Sequence, residues 1–345
     1  MKASAEPTSS ISPRTVHVGG GAAPADARRT RAGLVYALGA YLAWGVVPSY
    51  FKLLAHVPPL VVLAHRVVWS VVFLLFLLIL QRKWGEVREA VRDRWTLALL
   101  GGSTVMIAAN WYVFIWAVGN GRVLQASLGY FINPLVNVLL GVAVLRERLR
   151  WGQVAGLVLA AAGVGVLTVA TGGVPWVALS LAFSFGMYAL LRKTAHVAPL
   201  AGLSVETAIL LPLAILVVTG VVPRAILPNG PPRVSHGTFA LLAAAGVVTA
   251  VPLLMFAAGA KRLRLSTLGF VQYLSPTCQF LLAVFAYHEP FRRQQLVSFA
   301  LIWAGLLAFT LETVVFLRSA RSRRPAVAAS AEDVDAPMSP VMVPD

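Results

Sequence analysis

Ten stretches of this chain are apolar over roughly the 20 residues a helix needs to cross a bilayer: 33–52, 60–80, 97–118, 123–145, 151–169, 175–191, 202–221, 238–259, 265–287 and 295–317. None alternates as a lipid-facing strand must, and a helix satisfies its own backbone hydrogen bonds where lipid offers no partner. The chain is therefore expected to be an all-α integral membrane protein with ten transmembrane helices. Composition agrees. Of 345 residues, 58% are hydrophobic and 12% charged, with a mean hydropathy of +0.78, a poor match to a soluble domain.

The formal net charge of +16 does not mark a nucleic-acid binder, because the basic residues fall in short clusters between apolar runs. Assigning them to alternate sides, starting with the amino-terminal tail, puts most of the 29 Lys and Arg on that tail's side. Both termini of this multi-pass protein are accordingly expected in the cytoplasm. Residues 1–30 and 319–345 read as disordered cytoplasmic tails, and no cleaved signal peptide is expected. The one cysteine, Cys278, excludes an intramolecular disulfide.

Two segments match each other. In SLGYFINPLVNVLLGVAVLRERLRWGQ, from Ser127, stand Pro134, Glu147, Arg150 and Gln153; Pro276, Glu289, Arg292 and Gln295 follow each of them by 142 residues. Gly163 and Thr168 recur as Gly305 and Thr310 at the same spacing. Trp44-Gly45 and Lys52 are echoed by Phe185-Gly186 and Lys193 at 141, and Leu128-Gly129-Tyr130 by Leu268-Gly269-Phe270 at 140. Small loop insertions between two copies of a five-helix unit produce such a drift. An offset of five helices reverses orientation, so the fold expected is two inverted five-helix repeats, 31–172 and 173–318. That plan belongs to secondary transporters with a site near the midplane.

Polar residues inside the spans are the candidate site. Asn133 and Asn137, four apart on one helix face, lie beside Pro134, whose counterpart is Pro276; they line a pathway or else bond neighbouring helices together. His65 and Arg66 lie about 8 Å into the second span, where Arg66 either binds an anionic or zwitterionic group or snorkels outward. Glu206, in the seventh span, is the candidate proton-coupling site. Lys52 and Lys193 are gate candidates or interfacial anchors, while Glu147 and Glu289 read as loop charges or hairpin caps. Trp44, Trp111 and Tyr130 fall deeper than an aromatic belt requires and suit a cavity wall; Asn110, Tyr188, Gln272 and Tyr273 complete the pathway candidates.

Absences narrow the field. The sequence has no phosphate-binding G-x-x-x-x-G-K-[ST] loop, no H-E-x-x-H, and no His/Cys/carboxylate cluster at metal-ligand spacing. No cofactor, metal or enzymatic activity is expected, and an intramembrane transferase would lack the convergent His and Asp it needs.

The stretches AYLAWGVVPSYFK, LAHRVVWS, NWYVFIWAV, QASLGYFINPLVNVLLG, SFGMYALLRK and RLRLSTLGFVQYLSP resemble, in order, the RarD-type proteins of the EamA group in the drug/metabolite transporter superfamily. The resemblance runs from about residue 31 to 318. It implies ten helices in two inverted repeats, an inner-membrane location, a central cavity and secondary transport, with export of small molecules such as chloramphenicol-type drugs. The family pattern carries an acid four places before the His-Arg pair; Val61 stands there, so if that acid couples protons in relatives, coupling here is either lost or moved to another residue. Export of amino acids or related metabolites is the alternative within transport, and a non-transporting scaffold or receptor the alternative from another class. The expected partners are a small-molecule substrate, the lipid bilayer and protons as coupling ion, with no nucleic acid, in a monomer or homodimer.

Overall fold

A computed structural model describes residues 24–145, 151–171, 173–221, 227, 230, 232–260, 262–263, 271–293, 295–308 and 310–312, and all regular structure among them is helical. The elements are α1 (Pro24–Leu53), α2 (Pro59–Gln81), α3 (Trp84–Arg92), α4 (Arg94–Gly119), α5 (Val123–Leu145), α6 (Trp151–Thr171), α7 (Trp176–Ala195), α8 (Pro199–Val218), α9 (His236–Ala260) and α10 (Leu274–Leu281), which continues into a π turn at Leu282–Ala286. A last apolar helix covers Gln295–Glu312. Among the described residues, six segments are long and apolar enough to cross a membrane: Thr30–Leu53, Pro59–Gln81, Arg94–Gly119, Pro199–Val218, His236–Phe256 and Gln295–Glu312; Val123–Val136, Val154–Val169 and Leu274–Ala286 are shorter apolar helices. On α2, Val62, Val67, Leu74 and Leu78 are buried while Val72, Leu75, Phe76 and Ile79 face outward. A helix apolar on every side is at home only with lipid on its outer face.

Local chemistry explains the boundaries. Pro59 opens α2 at a position that needs no amide donor, and Arg82 closes it in the left-handed region at φ 53°. Asp93 caps α4, its Oδ2 accepting from the Thr96 amide at 2.9 Å and the Thr96 hydroxyl. Those two bonds hold the Asp93 carboxyl below the usual carboxylate range. The cap is thus complete above the ordinary aspartate pKa and is lost as pH falls through the lower folded value. The short α3, polar enough to escape a search for apolar windows, was not anticipated from the sequence. Pro134 sits inside a continuous α5, whereas Pro276 falls in the first turn of α10. There a proline removes no helical bond, so only the first of the pair interrupts a ladder. Glu147 and residues 264–270 lie outside the described residues.

Glu289 is a cap, though of the amino terminus of α5 and not of its own hairpin as the sequence suggested. After the π turn the chain reverses through His288 at φ 51°, and the buried Glu289 carboxylate accepts from the amides of Val123 and Leu124 at 2.8 Å each. It thus satisfies the first amides of α5 from a different part of the chain and places negative charge at a helix amino terminus. Glu289→Ala is expected to cost about 2 kcal/mol, the scale of buried amides losing a charged acceptor, and Glu289→Gln less; thermal unfolding in detergent reads the difference.

The packing repeats with the two halves exchanged. Helices α4 and α5 lie against α7, and α9 and α10 lie against α1. The spacings near 141 equate α1 with α7, α4 with α9 and α5 with α10, so these are the same contacts made twice. Between the halves, α2 packs on its own counterpart α8; α2 also packs on α9 more extensively than α8 does on α4. The glycines paired in sequence serve the same helix contact at two points: a Cβ on Gly163 would lie 2.8 Å from Ile302 and the Ser298 carbonyl, and one on Gly305 would lie 2.6 Å from the Gly156 carbonyl. Small residues at both points let α6 and the last helix approach closely.

Candidate functional site

Two buried charges organise the interior. Seven residues separate Arg66 from the start of α2, about 10 Å at helical rise, and the same separation places Glu206 in α8, whose start follows that of α2 by 140 residues. The repeat therefore puts a cation and an acid at related depths in the two halves.

Arg66 is only 9% exposed. Its guanidinium lies over the Trp111 ring at 4.1 Å and near the Phe51 ring at 5.5 Å, with Tyr130 and Tyr50 within electrostatic reach. Its Nε is buried without a hydrogen-bond partner, and no carboxylate pairs with it among the described residues. Cation–π attraction contributes about 0.5–2 kcal/mol, against several kcal/mol for taking an unpaired ion out of water. The aromatic cage accounts for only part of the cost of keeping a guanidinium there, and burial rules out snorkelling.

Glu206, by contrast, is paired. At 1% exposure it accepts from Ser103 Oγ at 2.6 Å and from the Tyr188 hydroxyl at 3.4 Å, and lies 3.6 Å from Arg192 Nε. Three helices, α4, α7 and α8, converge on one carboxylate. Gly202 makes the approach possible: a Cβ there would fall 1.6 Å from Arg192 Nη1. Neither Ser103 nor Arg192 was singled out from the sequence, Arg192 because a basic residue at a span end reads as an interfacial anchor.

A run of rings joins the two clusters. Phe51 and Phe114 are 6.0 Å apart, Phe114 and Tyr130 6.0 Å, Tyr130 and Phe185 6.3 Å, and Phe185 and Tyr188 6.0 Å, centroid to centroid. Tyr130 hydrogen-bonds Asn110 Oδ1 at 3.4 Å, while the Asn110 amide donates to the Leu181 carbonyl and to Ser184 Oγ at 3.0 Å each. Asn110 therefore ties α4, α5 and α7 together, the packing role open to any buried amide.

The remaining candidates scatter. Asn133 is buried in α5 and Pro134 half-buried; the side chain of Asn137 lies outside the described residues. Their counterparts at spacing 142 are Ser275 and Gln279, missed in the sequence because amides have become a hydroxyl and a longer amide. Gln279 donates to the Trp44 carbonyl at 3.2 Å and to Ser275 at 3.3 Å, next to the buried Pro276. Trp44 itself packs with Tyr41 and Phe256. Gln272 and Tyr273 are half-buried just before the start of α10. His65 meets the Phe239 ring edge-on, away from the Arg66 cage. Lys52 lies over the Tyr287 ring at 5.3 Å, and Lys193 is exposed at the end of α7. A cleft of about 330 Å³ between Arg122, Gln125, Trp176 and Phe299 contains none of the candidates.

Apolar helices exposed on their outer faces, packing that repeats when the halves are exchanged, and fixed charges in the interior define a multi-pass helical membrane protein built twice from one unit. The model of the EamA-like transporter family matches residues 31–169 and again 173–311, two matches that begin 142 residues apart, the spacing of the prolines. The chain belongs to this family and is a RarD-type member of it, a membrane transporter of the drug/metabolite superfamily. It is 46% identical to Protein RarD of Salmonella typhimurium over 84% of this chain and 98% of the relative. To the Uncharacterized transporter YojE of Bacillus subtilis it is 43% identical, over 85% and 98%. The Chloramphenicol-sensitive protein RarD of Pseudomonas aeruginosa is 32% identical over 84% and 97%. A solved crystal structure superposes with a TM-score of 0.52 at 23% identity, covering 83% of this chain and 97% of the other, a likeness of fold.

Proposed function

We propose that the chain is a secondary transporter of the plasma membrane, with ten transmembrane helices in two inverted repeats, 31–172 and 173–318. It moves small molecules, in the exporting direction, by rocking one repeat against the other. The observation that carries this reading is the exchange of contacts between halves, α4 and α5 on α7 against α9 and α10 on α1. Two equivalent sets of contacts give the bundle two related ways to close, which is what alternating access requires. The unequal α2–α9 and α4–α8 pairings fit a molecule caught in one of them. Glu206 is the proposed coupling residue, since protonating it would release Arg192 and loosen three helices at once.

Drug-like solutes and charged metabolites are the two substrate readings. The name of the Pseudomonas relative supports chloramphenicol-type compounds; Arg66 and Glu206 at the two ends of an aromatic run favour amino acids or related charged metabolites. Purified protein in proteoliposomes, given chloramphenicol, amino acids and organic cations with and without a pH gradient, is expected to show saturable uptake and counterflow. Flux that follows the gradient supports coupling through Glu206, and flux indifferent to it removes that role. No flux for any compound, in folded protein, favours the scaffold or receptor instead.

A further inference from the structure

We propose that Arg66 is an anion-docking residue, and that the solutes this protein recognises carry a carboxylate beside an apolar or aromatic body. The proposal deepens the transport reading and rests on it only for what happens after binding.

Three observations converge on it. The guanidinium is buried, and its Nε has no partner. Its known neighbours are ring faces and phenols, Trp111, Phe51, Tyr130 and Tyr50, which hold a cation in place without neutralising it. An incoming carboxylate would meet the planar fork of Arg66 in bidentate fashion, and the Tyr130 hydroxyl, whose one proton goes to Asn110 Oδ1 at 3.4 Å, would turn from that long bond to join it. The contrast with Arg192 sharpens the point. That residue has Glu206 within 3.6 Å, whereas no carboxylate of the described residues pairs with Arg66.

The body of the ligand follows from the walls. Rings run from Phe51 and Phe114 through Tyr130 to Phe185, a surface suited to a flat apolar group extending away from the charge. A neutral drug can use the rings but leaves the guanidinium as it was. The site assigned here therefore prefers an aryl acid to its amide.

The test separates binding from transport. Detergent-purified full-length protein is titrated with phenylacetate, phenylacetamide and sodium chloride, with thermal stabilisation as the readout; phenylacetate flux is then measured in proteoliposomes. Phenylacetate is expected to bind on the order of ten-fold or more tighter than phenylacetamide, the difference a buried charge-assisted hydrogen bond makes. Arg66→Gln should erase that preference, and Arg66→Lys, which keeps charge but loses the fork, should retain part of it. A preference surviving in folded Arg66→Gln, or none in the wild type, overturns the proposal. Stabilisation by chloride alone identifies an inorganic-anion site and overturns the substrate assignment. Carboxylate binding without flux leaves the docking site standing and counts against the transport reading.

Discussion

Replacing Glu206 with leucine is expected to cost about 3–5 kcal/mol of folding free energy, the usual result of stranding one member of a buried ion pair. Three groups lose a partner together: the Ser103 hydroxyl, the Tyr188 hydroxyl and the Arg192 guanidinium. Arg192→Leu alone should be comparably damaging, because it leaves a carboxylate at 1% exposure without its counter-charge. The double variant Glu206→Leu/Arg192→Leu should recover much of the loss, since two apolar side chains need no partners. Glu206→Gln should be milder, as its carbonyl still accepts from Ser103. A double-mutant cycle on unfolding in detergent measures the coupling. Additivity within about 0.5 kcal/mol would mean that the pair is not an energetic unit, and would also remove it as a latch between α7 and α8.

The second large effect belongs to Gly246. A Cβ at this position would lie 2.4 Å from the carbonyl carbon and oxygen of Trp69 and 2.8 Å from the amide nitrogen of Ser70. Those are backbone atoms, which cannot swing aside as a side chain does. Gly246→Val must therefore push α9 off α2, with an expected loss of about 3 kcal/mol or more. Gly101→Ala and Gly165→Ala are the controls: neither Cβ would meet anything within 4 Å, so each should be neutral or gain about 0.5–1 kcal/mol from helix propensity. Thermal unfolding of the three variants side by side separates a packing requirement from a general dislike of changing glycine in a membrane helix.

Much of the architecture was legible because it is written in long-range composition. Apolar windows of bilayer length must be helical, and the spacing of 142 that joins Pro134 to Pro276 reappears in the two family matches. Gly163 and Gly305 went further, since their equivalence in sequence turned out to be a meeting place of helices. The site was less legible. Glu206 stands out as an acid among apolar residues, yet its partners come from α4 and α7, and nothing local to Ser103 or Arg192 announces the contact. The cage around Arg66 hides for the opposite reason: aromatics are so frequent in this chain that Phe51 cannot be told from its neighbours until α1, α2 and α4 are brought together. Glu289 could be read as a loop charge or a hairpin cap, and only the fold shows that the helix it caps begins 166 residues earlier.

The lone guanidinium also has an electrical meaning. A charge moved through a bilayer field exchanges about 2.3 kcal/mol per 100 mV, and Arg66 sits roughly a third of the way through a core of about 30 Å. With no counter-charge beside it among the described residues, the empty protein would present a positive charge to whatever part of the membrane voltage its movement crosses. If a carboxylate docks on Arg66 as proposed, it cancels that charge, and in an alternating-access cycle voltage would bias the return of the empty protein and leave the loaded one alone.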